Sequence, residues 1–280
     1  MDKSDQFRFV SLLALELDNG DISLPSLPDV VMKIRRMLER DDCDFGRISQ
    51  AVSIDPVLVS RLFVFANSAF YNRANVKIET LEGAIGRLGF EVVRNAAMSL
   101  AMKQLYGSDK NDKSAKHLKA VWARGMKLSS MAFAIADTQP HLNSETAFLC
   151  GLMHEVGKLY ILTKAEEFPE FLGSPQSLSL VLEEWNPQVS KCIIESWGFS
   201  DEVVESTDPE TYQDHEIDTP TNLVDVIRVA KMLLDSNEQK LKDLFENDLS
   251  CQKLAMSDNS MSRVMDAYRA KLQTMQQSLA

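Results

Sequence analysis

The chain of 280 residues carries 41 acidic against 30 basic side chains, a formal charge of −11, with 45% hydrophobic and 25% charged residues. That length can bury a substantial core, and the composition excludes wholesale disorder. The acidic balance argues against broad adhesion to nucleic acid or anionic membrane, and no run reaches the roughly 18 to 20 apolar residues that cross a bilayer.

The opening MDKSDQFRFVSLLALELDNG intersperses charges among its apolar positions and lacks the unbroken apolar block of a signal peptide. A cytoplasmic location is therefore expected. Cys43, Cys150, Cys192 and Cys251 form no CxxC pair, as suits reduced thiols in that compartment. Apolar residues recur at helical spacing almost throughout, and alternating strand-like runs are scarce, so the expected fold is all-α.

Phe9, Leu12, Leu13, Leu15 and Leu17 predict a first helix ended by Asn19-Gly20. Pro28 sits where a second can start, and Val30, Val31, Ile34, Met37 and Leu38 form its apolar stripe. Asp44 before FGRISQAV, and Asp55-Pro56 before VLVSRLFVFA, supply side-chain oxygens for exposed helix-start amides. Thr80 caps TLEGAIGRLG, Gly89 offers the left-handed turn that ends it, and FEVVRNAAMSLAMKQLY continues as a longer helix. In ANSAFY, Asn67 and Ser68 can satisfy backbone groups at a helix end while Phe70 and Tyr71 bury aromatic surface. The plain reading is a structural corner, and partner docking is the alternative.

GSDKNDKS, residues 107–114, has no large apolar residue and reads as a join between two helical lobes. Helices are expected near 115–136, 144–164, 187–197 and 219–235, with shorter ones between. Residues 207–220 read as an exposed acidic loop, with His215 in solvent. The tail from Met261 to Ala280 is amphipathic and offers a face to the body or to a second copy in a homo-oligomer.

LPSLPDVVMKI, SIDPVLVSRLFVFANSAFYN, TLEGAIGRLGFEVVRNAAM, FLCGLMHEVGKLYIL and IIESWGF, taken together, resemble the HDOD family, a bacterial signalling module related to HD-type phosphohydrolases. The resemblance implies an N-terminal helical lobe packed on a C-terminal HD-like lobe. It divides the chain into an N-terminal helix (1–19), a first lobe (20–106), the polar join (107–114), a degenerate HD-like lobe (115–235) and a C-terminal helical extension (236–280). The two lobes are expected to unfold as one body.

The resemblance also says where metal ligands would stand. An HD hydrolase sets a first histidine on one helix, a His-Asp pair on a second and a distant aspartate on a third, and the bound divalent ion turns water into a nucleophile. Where relatives read approximately Trp-x-His-Ser, this chain has Trp122-Ala123-Arg124-Gly125, and a guanidinium offers no lone pair to a metal. His117 is five residues before Trp122, on the wrong side of that motif, and reads as an exposed or helix-start residue.

The pair is His154-Glu155, whose extra methylene displaces the carboxylate by more than about 1 Å. Asn186 stands in EEWNPQVSK where related domains often place another histidine, and Ser206-Thr207-Asp208 where they carry a histidine pair. Aligned by apolar rhythm, LVDVIRVAKML puts Lys231 in the final aspartate's place. Asp225, six residues earlier, faces another direction on the same helix.

The expectation is thus a non-enzymatic signalling or scaffold protein with no catalytic residue, metal or cofactor, and with partners unknown. Arg124, His154, Glu155, Asn186 and Lys231 form its vestigial site, with Glu155 paired to Arg124 or Lys231 and His154 hydrogen-bonded nearby. A divergent metal-dependent phosphohydrolase, and a non-catalytic sensor of an anionic nucleotide, are the alternatives.

Overall fold

The computed structural model describes residues 3–19, 22, 27–38, 44–107, 114–208, 219–236 and 245–279, and among these there is helix and no strand. Most of the polar join, His215 with most of its acidic loop, Gly20 and Cys43 lie outside the described residues. By packing, the chain divides into two units, neither continuous in sequence. One comprises Met1–Leu24 and Tyr106–Val264, the other Pro25–Leu105 and Met265–Ala280.

The first unit opens with α1 (Lys3–Asn19). Its Phe9 is buried, stacked on Phe171 at 4.6 Å and edge-on to Phe168 at 5.4 Å, which joins it to the segment just ahead of the helix Pro175–Ser196. Glu16 on the same helix accepts hydrogen bonds from Tyr160 and from Lys164, the latter at 2.7 Å.

In the second unit, α2 (Asp29–Leu38), α3 (Phe45–Val52), α4 (Pro56–Ala66), α5 (Leu81–Leu88) and α6 (Phe90–Tyr106, its last residue assigned to the first unit) follow in order. Asp44, Asp55 and Thr80 cap α3, α4 and α5 as their residue types predict: Asp44 accepts from the Arg47 amide at 2.8 Å, Asp55 from Val57 and Leu58, and Thr80 from Gly83. Gly89 has φ +79°, a backbone setting that disfavours any side chain, and lets the chain turn directly from α5 into α6.

Asn67 closes α4. Its Nδ2 donates to Phe63 O at 3.0 Å and Ile78 O at 2.9 Å, and its Oδ1 accepts from the Ile78 amide at 2.8 Å. One side chain thereby pins the following loop to the helix end. Ser68 Oγ donates to Phe65 O, and Phe70 meets Tyr71 edge-on at 4.9 Å. Lys271, 1% exposed, donates to the Tyr71 hydroxyl at 2.7 Å and lies over both rings. The ANSAFY stretch is a packed corner in this unit.

The first unit resumes with α7 (Ala115–Ala136), α8 (Ser144–Met153), α9 (Val156–Ala165), α10 (Pro169–Leu172), α11 (Pro175–Ser196), α12 (Asp201–Glu205), α13 (Leu223–Asp235) and α14 (Leu249–Lys253). The final helix α15 (Asp258–Leu279) passes at residue 265 into the second unit.

Three expected boundaries change, and the simplest is the helix expected from 219, which begins at Leu223 behind the Asn222 cap. The helix expected over 144–164 is two, broken at residues 154 and 155. The one expected from 187 begins at Pro175, so that Pro187 lies inside α11. A proline removes the bond to the carbonyl four residues back, that of Glu183, but the buried face of Leu178, Val181, Val189, Ile193 and Ile194 continues on both sides of it.

Candidate functional site

The break between α8 and α9 is made by polar groups reaching across from α11. Asn186 donates from Nδ2 to His154 O at 3.0 Å and accepts at Oδ1 from the Lys158 amide at 3.1 Å. The Ser190 hydroxyl accepts from the Gly157 amide at 2.8 Å and lies 3.2 Å from His154 O. Tyr106 donates its hydroxyl to Glu155 O at 3.1 Å. Backbone groups that a continuous helix would pair internally are satisfied from outside. Gly157 is required here: a Cβ would stand 2.6 Å from Asn186 O and 2.8 Å from Ser190 N.

This places His154 and Glu155, 2% and 3% exposed, on the inner side of the break. Glu155 Oε1 accepts from Arg124 Nε at 2.9 Å and from Lys158 Nζ at 3.1 Å. Arg124 turns its other two nitrogens onto Asp235, at 2.7 and 2.8 Å, a two-point grip that suits a planar guanidinium. Lys158 reaches Glu183 Oε1 at 2.8 Å. Lys231, largely buried, completes the group without a direct salt bridge among the described residues, though its charge is felt by Glu155, Glu183 and His154.

The cluster therefore holds three cations, Arg124, Lys158 and Lys231, and three carboxylates, Glu155, Glu183 and Asp235. Their charges cancel if His154 is neutral, and its surroundings hold it neutral. Burial first, then the charges of Lys231, Lys158 and Arg124, push its pKa well below 6.5, against a hydrogen bond from the imidazole to the Ser206 backbone. Burial likewise lowers the Lys231 ammonium, against the pull of Glu155 and Glu183. The Arg124 hydrogen bonds hold Asp235 below the usual carboxylate range. For Glu183, desolvation raises the pKa, but the Lys158 hydrogen bond and charge outweigh it, and the net shift is downward.

Of the five residues singled out from sequence, Arg124, His154, Glu155 and Lys231 share this charged centre, and Asn186 braces its backbone. The pairing of Glu155 with Arg124 is present. The polar partner of His154 is the Ser206 backbone, at a geometry looser than a full hydrogen bond, and Glu155 Oε2 has no hydrogen-bond partner among the described residues.

Asp225 does not compete with Lys231. Fully buried, it accepts from the Asn222 amide and Ser250 Oγ and pairs with Lys253 at 3.0 Å, fastening α14 to the start of α13. Ser206 and Thr207 bond their own helix carbonyls, and Asp208 pairs with Lys191. His117 is half-buried in the first turn of α7, away from the spacing a ligand would need.

Sequence reasoning missed Lys158, Glu183 and Asp235. Two carried a signal: Lys158 is three residues after Glu155, and Asp235 four after Lys231, spacings that share a helix face. Glu183 had none, because its partner lies on a separate helix.

A divalent ion does not fit this donor set. Only His154 and Glu155 are of metal-ligand type among the five, and among the described residues no three His, Cys, Asp or Glu side chains converge as a metal cage. Two cations already share the Glu155 oxygen that would face an ion, Arg124 at 2.9 Å and Lys158 at 3.1 Å.

The HDOD domain family model matches residues 24–211. A provisionally named metal-dependent phosphohydrolase of Shewanella amazonensis SB2B superposes with a TM-score of 0.81 at 24% identity, covering 97% of this chain and 99% of that one. An HDOD domain protein of unknown function from Geobacter sulfurreducens gives 0.67 at 20% identity over 95% and 96%. In sequence, an uncharacterized protein of Treponema pallidum (strain Nichols) is 25% identical over 161 residues, which take in 57% of this chain and 30% of that protein. The structural likenesses speak for the fold alone.

Proposed function

As this chain belongs to the HDOD domain family, we propose that it is a non-catalytic signal-transduction or scaffold protein, in which a metal centre has been replaced by an internal salt-bridge network. The observation that carries the reading is the Arg124–Glu155–Lys158 arrangement. A guanidinium and an ammonium converge on one carboxylate oxygen beside a neutral histidine, where a hydrolase would need several anionic or imidazole ligands around one ion. Arg124 and Lys158 are also paired to Asp235 and Glu183, so protein carboxylates hold the cations that stand at the ligand positions. Binding partners through its surfaces is what remains to such a fold.

The test is hydrolysis of phosphomonoesters, phosphodiesters and nucleotides with manganese, iron, magnesium or zinc supplied. No turnover above that of His154→Ala is expected, whereas metal-stimulated turnover lost in that variant would show a divergent phosphohydrolase. Oε2 of Glu155, without a hydrogen-bond partner among the described residues and next to a neutral His154, favours that second reading, and the same assay decides it. Thermal-shift screening with phosphorylated ligands separates a nucleotide sensor, which would be stabilised, from a scaffold, which would not.

A further inference from the structure

The second unit presents a helix that is apolar on faces turned both inward and outward. In α4, Leu58, Leu62, Phe65 and Ala66 are buried, yet Val57 is 48% and Val64 40% exposed, and Ile54 just before it is 65% exposed. Positions 54, 57, 61 and 64 fall on one side of a 3.6-residue period, so an apolar stripe with Arg61 in its middle faces solvent. The Asn67 clip to Ile78, and Arg87 donating to Val76 O at 2.8 Å, bring Val76, 57% exposed, and Arg73 to the same end of the helix. Neither Arg61 nor Arg73 forms an ion pair among the described residues.

Charge says what kind of partner fits. The second unit has 13 Lys and Arg against 10 Asp and Glu, while the first has 17 against 31. A net +3 unit within a −11 chain is a local reversal of sign, and two of its cations, Arg61 and Arg73, lie within the exposed stripe and at its end. A second copy offering the same face would set Arg61 against Arg61, which like-charge repulsion disfavours.

We propose that the α4 face, Ile54, Val57, Val64 and Val76 with Arg61 and Arg73, docks an acidic amphipathic helix of a different protein. Its apolar stripe covers the valines and its flanking carboxylates meet the two arginines. The mode is a helix laid on an apolar face, with charge setting partner choice and register. The assignment is independent of the chemistry at Glu155, which lies in the other unit.

Two synthetic helical peptides of about 18 residues, sharing one leucine stripe and differing only in flanking Glu or Lys, are titrated into the full-length chain. The Glu peptide is expected to bind at least about tenfold more tightly than the Lys peptide, to weaken with salt, and to perturb the methyl resonances of Ile54, Val57 and Val64. Val64→Asp should abolish that binding. Arg61→Glu combined with Arg73→Glu should reverse the peptide preference, a gain that a merely unfolded variant cannot produce. Equal affinities, no binding, perturbation confined to other residues, or sedimentation showing the stripe covered by a second copy would overturn the assignment.

Discussion

Glu155 is the residue on which the charged centre turns, because two cations share its Oε1. Glu155→Ala leaves Lys158, 7% exposed at its side chain, with one partner fewer inside the fold. Losing one member of a buried ion pair costs about 3 kcal/mol or more, so urea unfolding should show a loss of that order. Glu155→Ala with Lys158→Met should recover part of it. If Glu155 served catalysis instead, the single variant would keep its stability.

His154 gives a second prediction, from pH. Its pKa is depressed in the folded state, by burial and then by Lys231, Lys158 and Arg124, so between the folded value and 6.5 the unfolded chain binds more protons. Stability then falls as pH falls through that window. The carboxylates Glu183 and Asp235, also held low, contribute their losses below their ordinary values of 4.5 and 3.8. Denaturation midpoints should therefore drop from pH 7 to pH 5 in the native chain and change less in His154→Gln. Parallel curves for the two would show the imidazole already charged in the fold.

At the scale of elements, what was legible in the sequence was what is local. Asp44, Asp55 and Thr80 announce helix starts because a cap bonds amides two or three residues away, and Asn67 was readable as a helix end for the same reason. The break at residues 154 and 155 was not legible. It depends on Asn186 and Ser190, some thirty residues later, and on close approach at Gly157, which periodicity cannot register. Gly157→Ala should cost about 1–3 kcal/mol, the usual range for overpacking, since its Cβ would meet backbone and not a movable side-chain tip. Asn67→Ala should speed hydrogen exchange at the Ile78 amide, whose acceptor is Asn67 Oδ1 at 2.8 Å. Unchanged exchange there would mean the loop is held by other contacts.

At the scale of the molecule, the motifs that resemble HDOD proteins led to the helical fold, because they are runs of apolar spacing and turn residues that report packing and not chemistry. The site was half legible. Departures at Arg124, Glu155 and Lys231 were visible one position at a time, but the compensation by Lys158, Glu183 and Asp235 required three helices to be brought together. Balanced charge is the property that separates the two functional readings: under the proposed one the salt bridges stand in for a divalent cation, and under the other they give way to it. Elemental analysis of the full-length chain, purified without chelators from cells supplied with manganese, iron and zinc, tests this most directly. A self-neutralised centre predicts metal well below one ion per chain and no difference between the native protein and His154→Ala. One manganese, iron or zinc per chain, lost in His154→Ala, would contradict it.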